Sequence, residues 1–214
     1  MKKIAIKILS AHKIYAKEKI EDLQEKQLVP SMMLRRRLTR NSKVMLYLSH
    51  KCNFEGGKVV YGTCFGEVEE STKMANSVIK DGTLSPTSFQ NSVYNTAPSY
   101  YSLVKKDTDE IITISSGKKT SLDTLKTAAL QALVSKEKVF CVAVECINIP
   151  NIDEVNRCTI YLEAGVGCVV EVCENDEAKE IQECAPKGVI DSLKDMMSVA
   201  QMFENGDDKI WIEL

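Results

Sequence analysis

Thiols, imidazoles and hydroxyls are the side chains best suited to covalent chemistry near neutral pH, and this chain distributes them unevenly. It holds eight cysteines but only two histidines, His12 and His50. Cys141, Cys146, Cys168 and Cys173 lie in apolar runs, where burial raises a thiol's pKa and leaves it inert. No Cys-x-x-Cys occurs, and the cysteines and histidines match no zinc-ligand spacing, so no metal is expected. Cys64, between Thr63 and Phe65 at the end of a short apolar run, is the cysteine best placed to act as a nucleophile. Ser115 and Ser116 form a second candidate pair. A serine needs a positioned base, yet the chain has no Gly-x-Ser-x-Gly elbow and no histidine after His50, so both serines read as helix-capping or turn residues.

The elements that must position these residues follow from composition and periodicity. With 214 residues, 44% hydrophobic and 27% charged, the chain is expected to fold as a single domain over residues 1–214. Its 28 basic and 30 acidic side chains leave a net charge of −2, which argues against a nucleic-acid binder. No apolar run approaches the ~18 residues a bilayer span requires. The start has lysines inside its apolar stretch and no small-residue cleavage site, so no membrane association is expected and the location is cytoplasmic. In that compartment the cysteines are reduced.

Ile4, Ile6 and Ile8 alternate as in a strand. After Pro30-Ser31, the spacing of Leu34, Leu38, Met45 and Leu48 predicts one helix, with Arg36, Arg40 and Lys43 on its opposite, cationic face. Val59–Tyr61 reads as a strand, and Val68, Thr72, Ala75 and Ile79 as a helix ending before Asp81-Gly82. Glu110–Ser115 alternates as a strand, and Ser121 is expected to cap a helix through Leu122, Leu125, Ala129, Ala132 and Leu133. Val139–Cys146, apolar almost throughout, suits a central strand reached by a right-handed βαβ crossover. Thr159–Leu162 and Val166–Cys173 flank Glu163-Ala164-Gly165 as a hairpin. A last helix through Val189, Leu193, Met196, Ala200 and Phe203 closes at Gly206, before a terminal strand over Lys209–Leu214.

The segment from Leu84 to Leu103, with Ser85, Pro86, Thr87, Phe89, Ser92, Tyr94 and Asn95, resembles the S-P-T-x-F-x-x-S-V-H-N motif of β-ketoacyl synthase N-terminal-like proteins. Three further stretches agree in order with that family: Pro30 with Arg35-Arg36-Arg37-Leu38, the strand and Gly66-Glu67 of Val59 to Glu67, and the turn and helix of Ser115 to Leu133. The resemblance implies an α/β fold, a thiolase-like α-β-α sandwich forming a single amino-terminal-type half with a mixed β-sheet flanked by helices.

It further implies that the nucleophile's turn corresponds to Ile114–Ser121, which contains no cysteine, and that the paired histidines of a ketosynthase are missing. Tyr94 stands where the family has a histidine, and Pro98-Ser99 replaces its small residue and glycine. The expectation is a catalytically inactive accessory protein, akin to a chain-length factor, in fatty-acid, polyketide or aryl-polyene biosynthesis. Its expected partners are a second copy or a ketosynthase, through Glu110–Ser115, and an acidic acyl carrier protein at Arg36, Arg40 and Lys43. No cofactor is expected. The alternative is an acyl-thioester enzyme using Cys64.

Overall fold

The computed structural model describes residues 3–149, 159–174 and 177–214. Its centre is one six-stranded sheet of β1 (Lys3–Ala16), β2 (Val59–Gly62), β3 (Ile111–Ile114), β4 (Val139–Cys146), β5 (Glu163–Val172) and β6 (Lys209–Glu213), in the order β3-β2-β4-β5-β1-β6. β2 runs parallel to both β3 and β4, whereas β5, β1 and β6 are added antiparallel. All eight residues of β4 are buried, as expected of a central strand between two helical layers.

Alternate residues of the strands feed two cores. Tyr61, Phe140, Val142 and Val169 pack with α3 (Arg40–Lys51) and α6 (Thr96–Lys105) on one face. Val60, Cys141, Ala143 and Val166 pack with α7 (Thr120–Ser135) and α8 (Lys194–Glu204) on the other. The strand period of two sends neighbours to opposite faces, which makes the domain an α-β-α sandwich with a mixed sheet, as expected. β3 and β4 are joined through α7 and lie on either side of β2, to which both run parallel.

Four local expectations change. The single helix after Pro30 is two, α2 (Met32–Arg35) and α3, following a four-residue α1 (Glu25–Leu28). The Thr39 hydroxyl accepts the Ser42 N–H at 3.2 Å and starts a new helix, which breaks the assumed common stripe and the common cationic face. Ser121 is no cap: it is buried, and its hydroxyl bonds the Asp195 carboxylate of α8 at 3.1 Å.

The expected hairpin at 163–165 is instead the first part of the continuous strand β5. Gly165 and Gly167 are there because α3 and Phe140 crowd the sheet. A Cβ at Gly165 would lie 2.8 Å from Val44 Cγ1, and one at Gly167 would lie 2.9 Å from the Phe140 ring. Finally, β1 continues eight residues past Ile8, and its register with β5 shifts between Ile8 and Ser10, which ends the simple alternation.

The helix expected before Asp81-Gly82 exists as α4 (Val68–Asp81), but it buries no residue. It is followed by α5 (Pro86–Asn91). Across α4, α5 and α6, Val78, Ile79, Leu84, Phe89, Val93 and Leu103 are exposed, Ile79 by 79%. No helix among the described residues is long and apolar enough to cross a membrane.

Candidate functional site

In open α/β sheets, ligands collect beyond the carboxyl ends of parallel strands. Here that edge carries the turn after β3 with Ser115 and Ser116, the turn 63–66 after β2 with Cys64, and Glu145 near the end of β4.

Ser115 and Ser116 are exposed and lead through a 3-10 turn, Gly117–Lys119, into α7. The turn is locked by Thr120, whose hydroxyl donates to the Gly117 carbonyl at 2.7 Å and accepts the Ser116 N–H at 3.1 Å. Lys118 pairs with Asp191 at 2.9 Å. Gly62, at the end of β2, lies so close to Thr124 and Thr120 of α7 that no side chain fits there, which seats this turn against the next one.

The 63–66 turn is gripped from below by Glu145. One carboxylate oxygen accepts the Cys64 N–H at 2.6 Å and the Ser192 hydroxyl at 2.9 Å; the other accepts the Thr63 hydroxyl at 3.1 Å and the Phe65 N–H at 3.2 Å. Burial pushes this carboxyl up to about 7, although its four donors all favour the charged form. Glu67, accepting from Thr39 at 2.7 Å, is pushed by burial to about 8. Sequence reading missed both. An isolated glutamate in an apolar strand is the signal that points to Glu145, because a charge there needs built partners.

Tyr94 caps the same turn from outside. Its hydroxyl donates to the Cys64 carbonyl at 3.2 Å, and its ring lies over Gly66, whose φ of +59° and close approach suit glycine. The rest of the motif is built into helix ends: the Ser85 hydroxyl accepts the Ser88 N–H at 3.4 Å, Pro86 opens α5, and the Ser92 hydroxyl donates to the Phe89 carbonyl at 2.8 Å. Thr87 and Phe89 are exposed, and Asn95 precedes α6 without a side-chain cap bond. The Tyr100 hydroxyl donates to Asn91 Oδ1 at 3.0 Å, beside a cavity of about 390 Å³ between α5 and α6.

The residues named for carrier docking do not share one free face. Arg40 Nε and Nη2 donate to the two oxygens of Glu163 at 2.8 and 2.5 Å, and Lys43 pairs with Glu25 at 3.0 Å. Arg36 follows α2 and is exposed beside exposed Arg37, neither in an ion pair among the described residues. Arg35 holds this corner by donating to the Val29 and Pro30 carbonyls at 2.6 and 2.9 Å.

What the arrangement can do chemically is limited by its protons. Burial, and then Glu145, push the Cys64 thiol above its ordinary value, opposite to what a nucleophile needs. His12 sits on β1 against the Tyr47 ring, and His50 lies in the last turn of α3, about 15 Å along the axis from Arg40. Neither faces the serine turn or the Cys64 turn through a described contact. The described residues include no cluster of three or more ligands suited to a metal.

Residues 10–203 match the family described as the β-ketoacyl synthase, N-terminal domain. The chain belongs to that family. Among solved structures, this family member is similar to a chain in the complex of a ketosynthase, ApeO, with its chain length factor, ApeC, from Xenorhabdus doucetiae. That match has a TM-score of 0.72 at 16% identity and covers 97% of this chain and 98% of that one. It is also similar to the ishigamide ketosynthase/chain length factor (TM-score 0.63, 12% identity, 81% of this chain and 63% of that one). A β-ketoacyl synthase from Burkholderia phymatum matches at a TM-score of 0.56 and 13% identity, over 79% of this chain and 59% of that one. Identities this low establish the fold, a thiolase-like sandwich, and the chain spans about 60% of the last two. No curated protein matches it.

Proposed function

We propose that this family member is a catalytically inactive ketosynthase-like accessory protein of fatty-acid, polyketide or aryl-polyene assembly, working through association with a ketosynthase and an acyl carrier protein. The observation that carries the reading is the turn after β3. Read as the counterpart of the turn where a ketosynthase presents a thiol at a helix amino terminus, it carries Ser115 and Ser116, with no imidazole in described contact with them.

Two surfaces support association. Among the described residues β3 pairs on one side only, with β2, so its other edge offers backbone groups to a second chain. The exposed apolar residues of α4, α5 and α6 add area of the kind that monomers seldom leave uncovered. A ketosynthase or a second copy would meet both. For an acidic carrier protein, Arg36 with its neighbour Arg37 is the uncommitted cationic corner, flanked by Met32 and Met33, exposed by 54% and 72%. Arg40 and Lys43 add less, because each already faces a carboxylate.

The test is reconstitution. Purified alone, the protein should neither condense malonyl and acyl thioesters nor form an acyl adduct by intact mass; co-purified with a ketosynthase, it should migrate as a complex. Arg36→Glu with Arg37→Glu should weaken capture of an acidic carrier protein at low salt, whereas Lys43→Glu should leave it nearly unchanged. Unaided condensation, or an acyl adduct on Cys64, overturns the reading.

A further inference from the structure

The cavity between α5 and α6, about 390 Å³, falls within the range of roughly 300–1,000 Å³ typical of small-ligand pockets. Its wall includes Gln90, Asn91, Val93, Thr96, Tyr100 and Leu103, and none of its described lining residues is charged.

Asn91 is the side chain on this wall whose hydrogen bonding is left incomplete. It is only 7% exposed, and its Oδ1 accepts the Tyr100 hydroxyl at 3.0 Å. That bond fixes which end of the amide remains: Nδ2, which donates to no described residue. The same wall carries two acceptors. The Thr96 hydroxyl, almost fully buried, spends its proton on the Gln90 carbonyl at 3.2 Å, and the Tyr100 hydroxyl spends its own on Asn91. Each oxygen keeps a lone pair for an incoming donor. Val93 and Leu103, both exposed, add an apolar rim.

These groups select by charge and by hydrogen-bonding pattern. A carboxylate or phosphate would find no cation on the wall and an ammonium no anion, and a charge desolvated without a partner is costly. A secondary amide suits it better, because it presents a carbonyl and an N–H together. We propose that the α5–α6 cavity binds an uncharged chain bearing secondary amides, with Asn91 Nδ2 donating to a ligand carbonyl and the Thr96 or Tyr100 oxygen accepting a ligand N–H. The methylenes or methyls between the amides lie against Val93 and Leu103. A pantetheine and a peptide both present this chemistry. The site rests on its own lining and not on the accessory role proposed above.

Nitrogen-15 NMR titration of the full wild-type chain, under reducing conditions, tests this with two neutral probes: pantetheine and N-acetyl-diglycine N-methylamide. Saturable shifts of the Asn91 side-chain amide and of the backbone amides of residues 90–103 are expected, and the probe that binds more tightly identifies the source of the chain. No saturable shift there with either probe at millimolar concentration overturns the proposal. Asn91→Asp keeps an acceptor for Tyr100 but replaces the donor, so affinity should fall by about tenfold. Tyr100→Phe, which removes an acceptor and frees Asn91 to turn, should also weaken binding and serves as the second variant should Asn91→Asp fail to fold. Undiminished affinity in a folded variant of either kind overturns the assignment of the site to this wall.

Discussion

Arg40 at the start of α3 and Glu163 at the start of β5 form a two-point ion pair across 123 residues of sequence, with the Glu163 side chain only 1% exposed. Glu163 Oε2 also accepts the Ile20 N–H at 2.7 Å, and Arg40 Nη2 donates to the Ile20 carbonyl at 2.8 Å. The pair thereby ties the segment after β1 to the sheet and fixes where α3 begins.

Removing one partner leaves the other charge buried. Arg40→Met should destabilise the fold by roughly 3–5 kcal/mol, read as a lower urea midpoint, while the double variant Arg40→Met/Glu163→Leu should recover much of the loss. Equal losses in the single and double variants would show that the pair's desolvated charge is not what matters.

The close seat of α3 on the sheet rests on two missing Cβ atoms. Gly165→Ala should cost about 1–3 kcal/mol, because the new methyl meets Val44 and Leu48 within 3.0 Å. Gly82→Ala, whose Cβ would meet nothing but whose φ is +62°, should cost about 1 kcal/mol through backbone strain alone. Thermal melts of both variants check the order of these two losses.

Stability should fall as the solution turns alkaline. Glu67 and Glu145 titrate near 8 and 7 in the folded chain, above the ordinary 4.5, so between those limits the folded state holds more protons than the unfolded one. Their contribution is fully present below about 4.5 and is lost as the pH rises through about 8. The urea midpoint should therefore be higher at pH 5.5 than at pH 8.5, with a smaller difference in Glu67→Gln. A midpoint that rises with pH in the wild type would contradict the assignment.

Thiol reactivity should sort by burial. Cys52, pushed up to about 12, and buried Cys141, Cys146 and Cys168 should resist iodoacetamide at pH 8 until the chain is denatured. Cys64, Cys173 and Cys184 are half-buried and should react first, as peptide mapping would show.

By itself the sequence determined the sandwich and the absence of any cysteine from Ile114 to Ser121. The period-2 runs, the apolar β4 and the α7 stripe are local patterns, and two histidines can be counted without coordinates. The motif from Ser85 to Asn95 pointed to the family. Only the tertiary structure decided that Arg40 and Lys43 face carboxylates, that Ser121 bonds Asp195, and that Gly165 and Gly167 mark a close helix rather than a turn. The same holds for Glu145, brought to the 63–66 turn from β4, and for the bond that Thr39 gives to Glu67 at the start of α4. Each depends on contacts between residues far apart in the chain or on the crowding of a neighbour, and neither leaves a periodic trace in the sequence.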